Sequence, residues 1–400
     1  MTELYRLGNP IKHYAWGSPH YIPELLGIQR DGTPFAELWM GAHSASPSQV
    51  SLPAGNTNLN DLIAQDPCRY LGTKAAEQYG ALPFLFKLLA AESPLSIQAH
   101  PNQAQAREGF ERENRAGIPI DAPNRNYRDA NCKPEIICAL TPFTGMCGFR
   151  SPKEICRLLE LFRKSTKNEI VDKSISSLVR ILEIEEKDIL RNFLNELFGI
   201  SSETREALTE YILSARNDEE CSQEFKLMRE FAGQYPGDPA IIAPLYLNVF
   251  HLEPGEAILL NAGILHAYCS GFGIELMGNS DNVLRGGLTA KNMDIPELMN
   301  VLDFNPFAPN IIKAEPDVCS YTYPVFCGEF ALSVMRGNSK EDKNNLVALS
   351  QTGPLIAIVT EGEVLIENTI IQRGGSIFIP PVRGSLALKG NYTLYIASVP

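Results

Sequence analysis

Hydrophobic and polar positions alternate in two different patterns along this chain. From residue 1 to about 150, short apolar runs are separated by glycine and proline, which is typical of many short β-strands. The clearest runs cover residues 35–40, 82–89, 95–99 and 135–140. Two other stretches, residues 59–79 and 103–116, are more polar than these runs and are expected to contain helix.

The pattern changes at Ser151. Ser151, Pro152 and Glu154 have the types and spacing of a helix N-cap, a first helical residue and an acidic first turn. From there to about Phe231 the sequence is charged, rich in leucine and isoleucine, and almost free of glycine and proline. Apolar residues recur at helical spacing through this segment, so it predicts a block of four or five helices.

Strand-like runs return after residue 233. Residues 257–260 and 273–277 are strand candidates with a glycine-rich turn between them, and Asp294 to Glu297 resembles another helix start. From residue 324 to the end only strand and turn signals occur. The strand candidates there are residues 330–335, 355–359, 363–367, 376–379 and 392–397.

Two segments share one rhythm of turn, short strand and second turn. Residues 254–266 end in His266, whereas residues 374–384 contain no histidine. This rhythm resembles the second sequence motif of cupins, which are double-sheet jelly rolls. The fold prediction is therefore mainly β with a helical insertion: a metal-bearing catalytic cupin (1–150 and 240–320), a helical domain (151–239) and a metal-free C-terminal jelly roll (321–400).

Composition and charge narrow the functional classes. With 44% hydrophobic and 20% charged residues, the 400-residue chain is globular and long enough for two or three domains. A formal net charge of −12 argues against a nucleic-acid binder. The first residues lack an apolar signal region, and no run approaches the roughly 18 apolar residues of a membrane helix. The nine cysteines include no C-x-x-C pair, so reduced thiols in the cytoplasm are expected.

Four side chains form a candidate metal site. Gln98 and His100 lie two apart in a strand-like run, so they would share one face. Glu135 opens an apolar strand, and His266 ends the cupin-like segment. Two nitrogen and two oxygen ligands suit Zn²⁺ and leave room for water or a substrate oxygen. The competing interpretations are ordinary polar alternation for the Gln–His pair, a strand-edge salt bridge for Glu135 and a buried core imidazole for His266.

Four further residues are candidates for chemistry near that site. Asp281 and Arg285 lie four apart among turn residues, where they form either a local salt bridge or a cleft loop that presents a carboxylate and a guanidinium. Lys87 and Lys133 lie near the ligand segments, and each either extends its ammonium to water or faces the cleft, as a phosphate contact or a base. Rival classes for the whole chain are an Fe(II)-dependent cupin oxygenase and a sugar-binding cupin without catalysis.

Several segments together resemble type I phosphomannose isomerases, which are zinc-dependent. The matching segments span nearly the whole catalytic region: residues 9–17 (NPIKHYAWG), 36–43 (AELWMGAH), 82–102, 127–135 (YRDANCKPE), 254–268 and 279–291. The resemblance implies that zinc is held by Gln98, His100, Glu135 and His266. It also implies that Arg285 is an active-site residue.

The resemblance leaves the other roles less defined. Lys133 and Asp281 are at candidate positions for the proton-transfer base. Ser96 and Lys87 are at positions that contact the substrate, through its phosphate. Many relatives have histidine where this chain has Cys132, so ring opening here would need another group or solvent. The implied reaction is aldose–ketose isomerisation of mannose 6-phosphate through a cis-enediolate. We expect a cytoplasmic monomer that binds one zinc ion and a phosphorylated hexose, and neither nucleic acid nor membranes.

Overall fold

The computed structural model describes residues 3–53, 55–184, 187–215, 222–315, 318–338, 347–350, 353–382 and 385–400. Its strands are β1 Tyr5–Gly8, β2 Ile11–Lys12, β3 Glu37–Gly41, β4 Gln49–Leu52, β5 Gly55–Asn58, β6 Phe84–Ala91, β7 Ile97–Ala99, β8 Glu135–Ala139, β9 Phe143–Phe149, β10 Leu247–Leu252, β11 Glu256–Leu260, β12 His266–Gly278, β13 Leu284–Gly287, β14 Ile311–Lys313, β15 Ser320–Thr322, β16 Ala331–Gly337, β17 Val347–Ser350, β18 Leu355–Ile366, β19 Thr369–Gln372, β20 Ser376–Ile379 and β21 Ser385–Ser398.

The helices lie in the first three quarters of the described chain. They are α1 Tyr21–Leu26, α2 Leu59–Gln65, α3 Pro67–Leu71, α4 Thr73–Tyr79, α5 Gln103–Arg115, α6 Pro152–Lys164, α7 Glu169–Leu182, α8 Ile189–Gly199, α9 Ser202–Ser214, α10 Ser222–Gln234, α11 Ala243–Tyr246 and α12 Ile295–Val301, with a 3₁₀ turn at Pro239–Ile242. In the part of the chain that the structure describes, no helix has both the length and the apolar character needed to cross a membrane.

Two antiparallel sheets carry the strands. The first, which we call the catalytic sheet after the predicted catalytic cupin, has the order β14-β11-β8-β12-β6-β3-β2. In addition, β7 and β9 pair with β12, β13 pairs with β7, and β10 pairs with β9. The second, the C-terminal sheet, has the order β15-β16-β21-β18-β20-β1-β4-β5, with β17 and β19 added. With the helices of the central block, this arrangement confirms the predicted class of cupin-type sheets plus an all-α block.

The central block is helical as predicted. Helices α6 to α10 fill it, and Ser151 caps α6 by accepting a hydrogen bond from the backbone N–H of Glu154 at 3.2 Å. The leucines and phenylalanines at helical spacing form one core that also takes in residues of the catalytic sheet, among them Ile97 and Ala267. The helices are therefore packed directly behind the strands that hold the candidate ligands. Residues 216–221 of the predicted block lie outside the described residues.

The C-terminal sheet contains two short strands that the sequence did not predict, β17 and β19, and it joins two predicted strands into one. The runs 355–359 and 363–367 belong to a single strand, β18, because the register shifts at a bulge between Val359 and Glu361 and the strand continues. Gly362 follows the bulge with φ 67°, a conformation that favours glycine. A glycine between two apolar runs is compatible with a bulge as well as with a break between strands, so the apolar pattern alone predicts two runs here.

The N-terminal strands join the C-terminal sheet. Tyr5 in β1 pairs with Phe378 in β20, and Leu7 pairs with Val50 in β4. The predicted segment 374–384 contains β20, while its last two residues, 383 and 384, lie outside the described part. The domain boundaries given above remain a prediction.

Candidate metal centre

Three of the predicted ligands meet at one buried point. His100 follows β7, Glu135 is the first residue of β8, and His266 is the first residue of β12. The Nε2 atoms of His100 and His266 lie 3.2 Å from Oε1 and Oε2 of Glu135 respectively. Each of the three residues has at most 2% of its surface exposed, and their ligand atoms lie within 4.8 Å of one another. Strand ends that are distant in sequence thus place three donor atoms around one point.

The orientation of the two imidazoles leaves their inner nitrogens unpartnered. Nδ1 of His100 donates to the carbonyl of Asn282 at 2.7 Å, and Nδ1 of His266 donates to the carbonyl of Ile264 at 2.9 Å. Each Nε2 therefore carries a lone pair, and it faces a carboxylate that also offers only lone pairs. The two Nε2 atoms and Oε2 of Glu135 are buried without a hydrogen-bond partner. This donor set fits a divalent cation, because a cation turns three mutually repelling acceptors into ligands.

Burial and a lysine set the protonation of this cluster. Burial, followed by the positive charge of Lys133, lowers the pKa of His100 to about 4, so its imidazole is neutral at neutral pH. Burial alone would raise the pKa of Glu135, but the Lys133 ammonium, whose Nζ lies 2.9 Å from Oε1, helps to hold that pKa well below its usual value. Neutral imidazoles and an ionised carboxylate are the forms that bind metal.

Gln98 lies beside the cluster. It is the central residue of β7, and it pairs in register with His266 on one side and with Arg285 on the other. Its side chain is half-buried and reaches the neighbouring cavity. Gln98 remains a predicted fourth ligand.

A cavity of about 420 Å³ opens next to the cluster. Glu135 and Lys133 reach it from one side and Arg285 from another, and Ser96 and Lys87 also contribute to its wall. Its other lining residues are Tyr14, Trp16, Glu37, Leu89, Leu95, Gln98, Tyr235, Tyr268, Glu275, Leu288, Thr289, Ala290 and Lys291. A cavity of this size takes a small ligand such as a hexose phosphate.

The charge of Lys87 is already matched by protein carboxylates. Its Nζ lies 3.0 Å from Oε2 of Glu275 and 3.5 Å from Oε1 of Glu37, and all three side chains are at most 9% exposed. Burial would lower the pKa of Lys87, but these carboxylates more than offset burial and raise it above its ordinary value. The predicted phosphate contact of Lys87 and Ser96 remains a prediction, and the geometry shows that Lys87 offers little uncompensated charge.

Asp281 and Arg285 do not pair with each other. Oδ1 of Asp281 lies 3.4 Å from Nε2 of His43, a contact that lowers the pKa of Asp281. Arg285, on β13, faces the cavity, whereas Asp281 is absent from the described residues that line it. The structure thus brings Arg285 and Lys133 to one cavity and places the Asp281 carboxylate against His43.

Two cations near Arg285 were missed from the sequence. Burial and the charge of Arg128 lower the pKa of Arg285; burial, Arg285 and Arg128 together lower that of Lys291. Across the described ranges, no ion pair includes Arg128, Arg285 or Lys291. Three neighbouring cations without carboxylate partners form a site for an anion. The sequence did offer one signal for the two missed cations: Arg128 and Lys291 lie inside segments 127–135 and 279–291, which carry the family resemblance.

Cys132 does not line the cavity among the residues that the structure describes. Its Sγ lies 3.5 Å from Oε1 of Glu329, and burial followed by the charge of that carboxylate raises the pKa of the thiol to about 12. At neutral pH it is a neutral thiol, unsuited to the acid–base work that an imidazole performs.

Comparisons with known proteins agree with this geometry. Residues 4–152 match the family described as phosphomannose isomerase type I, catalytic domain. The mannose-6-phosphate isomerase of Escherichia coli K12 is 37% identical over 398 residues, which is 97% of each chain. The human mannose-6-phosphate isomerase is 31% identical over 418 residues, covering 94% of this chain and 93% of that protein. A crystal structure of zinc-bound mannose 6-phosphate isomerase superposes with a TM-score of 0.87 and 33% identity, covering 99% of both chains.

Proposed function

The chain belongs to the type I phosphomannose isomerase family, and we propose that it is a zinc enzyme that interconverts mannose 6-phosphate and fructose 6-phosphate. The observation that carries this proposal is the convergence of unpartnered donor atoms from His100, Glu135 and His266 beside a cavity that Lys133 and Arg285 also reach. Similarity over almost the full length to mannose-6-phosphate isomerases supports the substrate class.

The zinc ligands in this proposal are Gln98, His100, Glu135 and His266. When bound, zinc supplies a Lewis acid that orients and polarises oxygen atoms of the sugar. The carbonyl groups of Asn282 and Ile264 fix the tautomer and ring orientation of the two imidazoles, so the ligands are held in place before metal arrives.

Lys133 is the base favoured by the geometry. Isomerisation of the aldose removes a proton from C2 and delivers one to C1, and a single group on one face of a cis-enediolate performs both transfers. Lys133 reaches the cavity, whereas the rival, Asp281, is engaged by His43. Lys133 pairs with Glu135 as an ammonium in this structure, and the positive charge of bound zinc would favour its neutral amine. That amine would accept the C2 proton, and the resulting ammonium would return a proton to C1.

The substrate phosphate is proposed to bind at the Arg285 end of the cavity. Arg285 and Lys291 line the cavity there, the charge of Arg128 acts on both, and none of the three forms an ion pair in the described chain. The Arg285 guanidinium also has the fork geometry to stabilise an enediolate oxygen, the second role that its position allows. Lys87 and Ser96 also line this cavity and are proposed to contact the substrate there.

Ring opening is proposed to use solvent water. The family resemblance implies a histidine where this chain has Cys132, whose thiol contacts Glu329. We further propose that the enzyme is a cytoplasmic monomer that supplies mannose 6-phosphate for GDP-mannose synthesis or serves mannose catabolism. These cellular assignments rest on family membership.

The reaction itself is tested by following fructose 6-phosphate formation from mannose 6-phosphate in a coupled assay, in H₂O and in D₂O. Proton transfer through an enediolate predicts deuterium at C1 of the fructose 6-phosphate formed in D₂O, because the Lys133 ammonium exchanges its protons with solvent. Formation of product without any deuterium would contradict transfer through the Lys133 ammonium and would leave a hydride shift or a shielded carboxylate base such as Asp281. Absence of fructose 6-phosphate would refute the function.

A further inference from the structure

A second cavity, of about 550 Å³, lies between the catalytic sheet and the C-terminal sheet. The catalytic sheet contributes residues such as Leu140 and Phe272, and the C-terminal sheet contributes Arg336 and Tyr395. It lies at the opposite end of β8 from Glu135, roughly 13 Å along the strand at about 3.3 Å per residue. The geometry points to a binding site for a phosphorylated sugar, separate from the proposed active site.

The first reason is a guanidinium whose hydrogen bonds are incomplete. Nη1 of Arg336 is buried and has no hydrogen-bond partner. The side chain lies against the turn at Gly255, since a Cβ on that glycine would be 3.8 Å from Nη2, and Tyr323 fixes this turn by donating to the Gly255 carbonyl at 2.9 Å. A buried, charged donor without an acceptor is costly, and an anionic ligand would supply the acceptor.

The second reason is another cation on the same cavity. Arg373 follows β19, and its Nε donates to the carbonyl of Thr360 at 3.3 Å. Neither Arg336 nor Arg373 forms an ion pair with any carboxylate of the described residues. Both guanidiniums line one cavity without being paired to its carboxylates, so each can donate hydrogen bonds to a phosphate group.

The remaining wall of the cavity suits the hydroxyl groups of a sugar. Two exposed carboxylates reach the cavity: Glu24, which pairs with Arg30, and Glu361, which accepts from Thr393 at 2.8 Å. A carboxylate retains acceptor capacity beyond one partner, so each can take a hydrogen bond from a sugar hydroxyl. The cavity is larger than the one proposed to bind a hexose phosphate, so a molecule of at least that size fits.

An aromatic pair completes one side of this cavity. The rings of Tyr21 and Phe272 stack with centroids 5.4 Å apart and planes at 2°. Both residues line the cavity, and such a surface packs against the apolar C–H face of a sugar. The expected ligand therefore has a phosphate group that binds the guanidiniums, hydroxyl groups that donate to the carboxylates and a C–H face that packs against the rings.

The test is calorimetric titration of the zinc-loaded enzyme with glucitol 6-phosphate, which lacks a carbonyl and cannot be isomerised. We expect two molecules to bind per chain, and the Arg336→Met variant to bind one. Arg285→Ala should lose the other molecule, so failure of the proposed active site and failure of this second site give different results. Equal stoichiometry in the wild type and Arg336→Met would overturn the proposal.

Two controls keep the outcome specific. Arg336→Met should keep its thermal stability without ligand and its kcat within about twofold, because the residue contacts neither the metal centre nor the proposed substrate cavity. If that variant fails to fold, Arg373→Met, at an exposed position, should weaken binding of glucitol 6-phosphate at the second site by about tenfold or more.

Inorganic phosphate should bind the Arg336 site at least about tenfold more weakly than glucitol 6-phosphate. Equal affinity of the two ligands would overturn the assignment to a sugar phosphate.

Discussion

The ammonium of Lys133 lies 2.9 Å from Oε1 of Glu135, the same oxygen that faces Nε2 of His100 at 3.2 Å. A candidate base and a candidate metal ligand thus share one carboxylate oxygen at the edge of the cavity. Lys133 and His100 are thus coupled through Glu135, so the proposed proton transfer and the proposed metal binding can be separated only by variants that remove one and preserve the other.

Lys133→Met should lower kcat by about 10²- to 10⁴-fold, the range expected when a general base is lost. The matched variant Asp281→Asn removes the rival carboxylate and should lower kcat by less than about tenfold. Steady-state kinetics with zinc content measured on each preparation provides the comparison. A larger loss in Asp281→Asn than in Lys133→Met would transfer the role of base to Asp281.

Arg285→Ala should lower kcat by at least about 100-fold and leave zinc bound, because it removes a charged donor to the reacting substrate. Lys291→Ala should act mainly on KM, since it weakens phosphate binding in the ground state and the transition state alike. Near-normal kcat in Arg285→Ala would remove this arginine from the mechanism. An unchanged KM in Lys291→Ala would place the phosphate elsewhere.

The metal centre was predictable from sequence because each proposed ligand lies in or next to a short strand with a clear pattern. Gln98 and His100 alternate with buried Ile97 and Ala99, and His266 follows a recognisable turn. Periodicity of this kind reports local structure directly.

The environment of Lys87 was not predictable from sequence. Its two carboxylates come from the neighbouring strands β3 and β12, and Lys87 pairs in register with Glu275. Strand order is a tertiary property that the apolar pattern of one strand does not encode. The approach of Arg128 and Lys291 to Arg285 depends in the same way on how separate loops pack.

Replacement of Lys87 tests that buried network. Lys87→Met leaves Glu37 and Glu275 as buried carboxylates without their cation, which should lower the free energy of unfolding by about 3–5 kcal/mol. The double variant Lys87→Met with Glu275→Gln should recover part of that loss. Urea unfolding followed by circular dichroism measures both changes. Unchanged stability in the single variant would show that the ammonium is not needed to balance these carboxylates.

Cys132→Ser should leave kcat within about twofold, because the thiol contacts Glu329 and is neutral at working pH. Ring opening by water requires no group at this position. The rate should be measured once with a freshly prepared solution of the sugar phosphate and once with an equilibrated solution, because the two solutions differ in the form of the sugar ring. A loss of more than about tenfold in kcat would make Cys132 part of the reaction.

Zinc analysis of the purified wild type and of His266→Ala, with activity measured before and after chelation, tests the central claim most directly. We expect a single zinc ion per chain in the wild type, activity that is lost on chelation and returns with zinc, and loss of both metal and activity in His266→Ala. His251→Ala is the matched control, since this histidine is exposed and bonded to Thr144 away from the centre, and it should keep metal and activity. Full zinc occupancy in His266→Ala, or activity in the wild type that survives removal of zinc, would contradict the proposed metal centre.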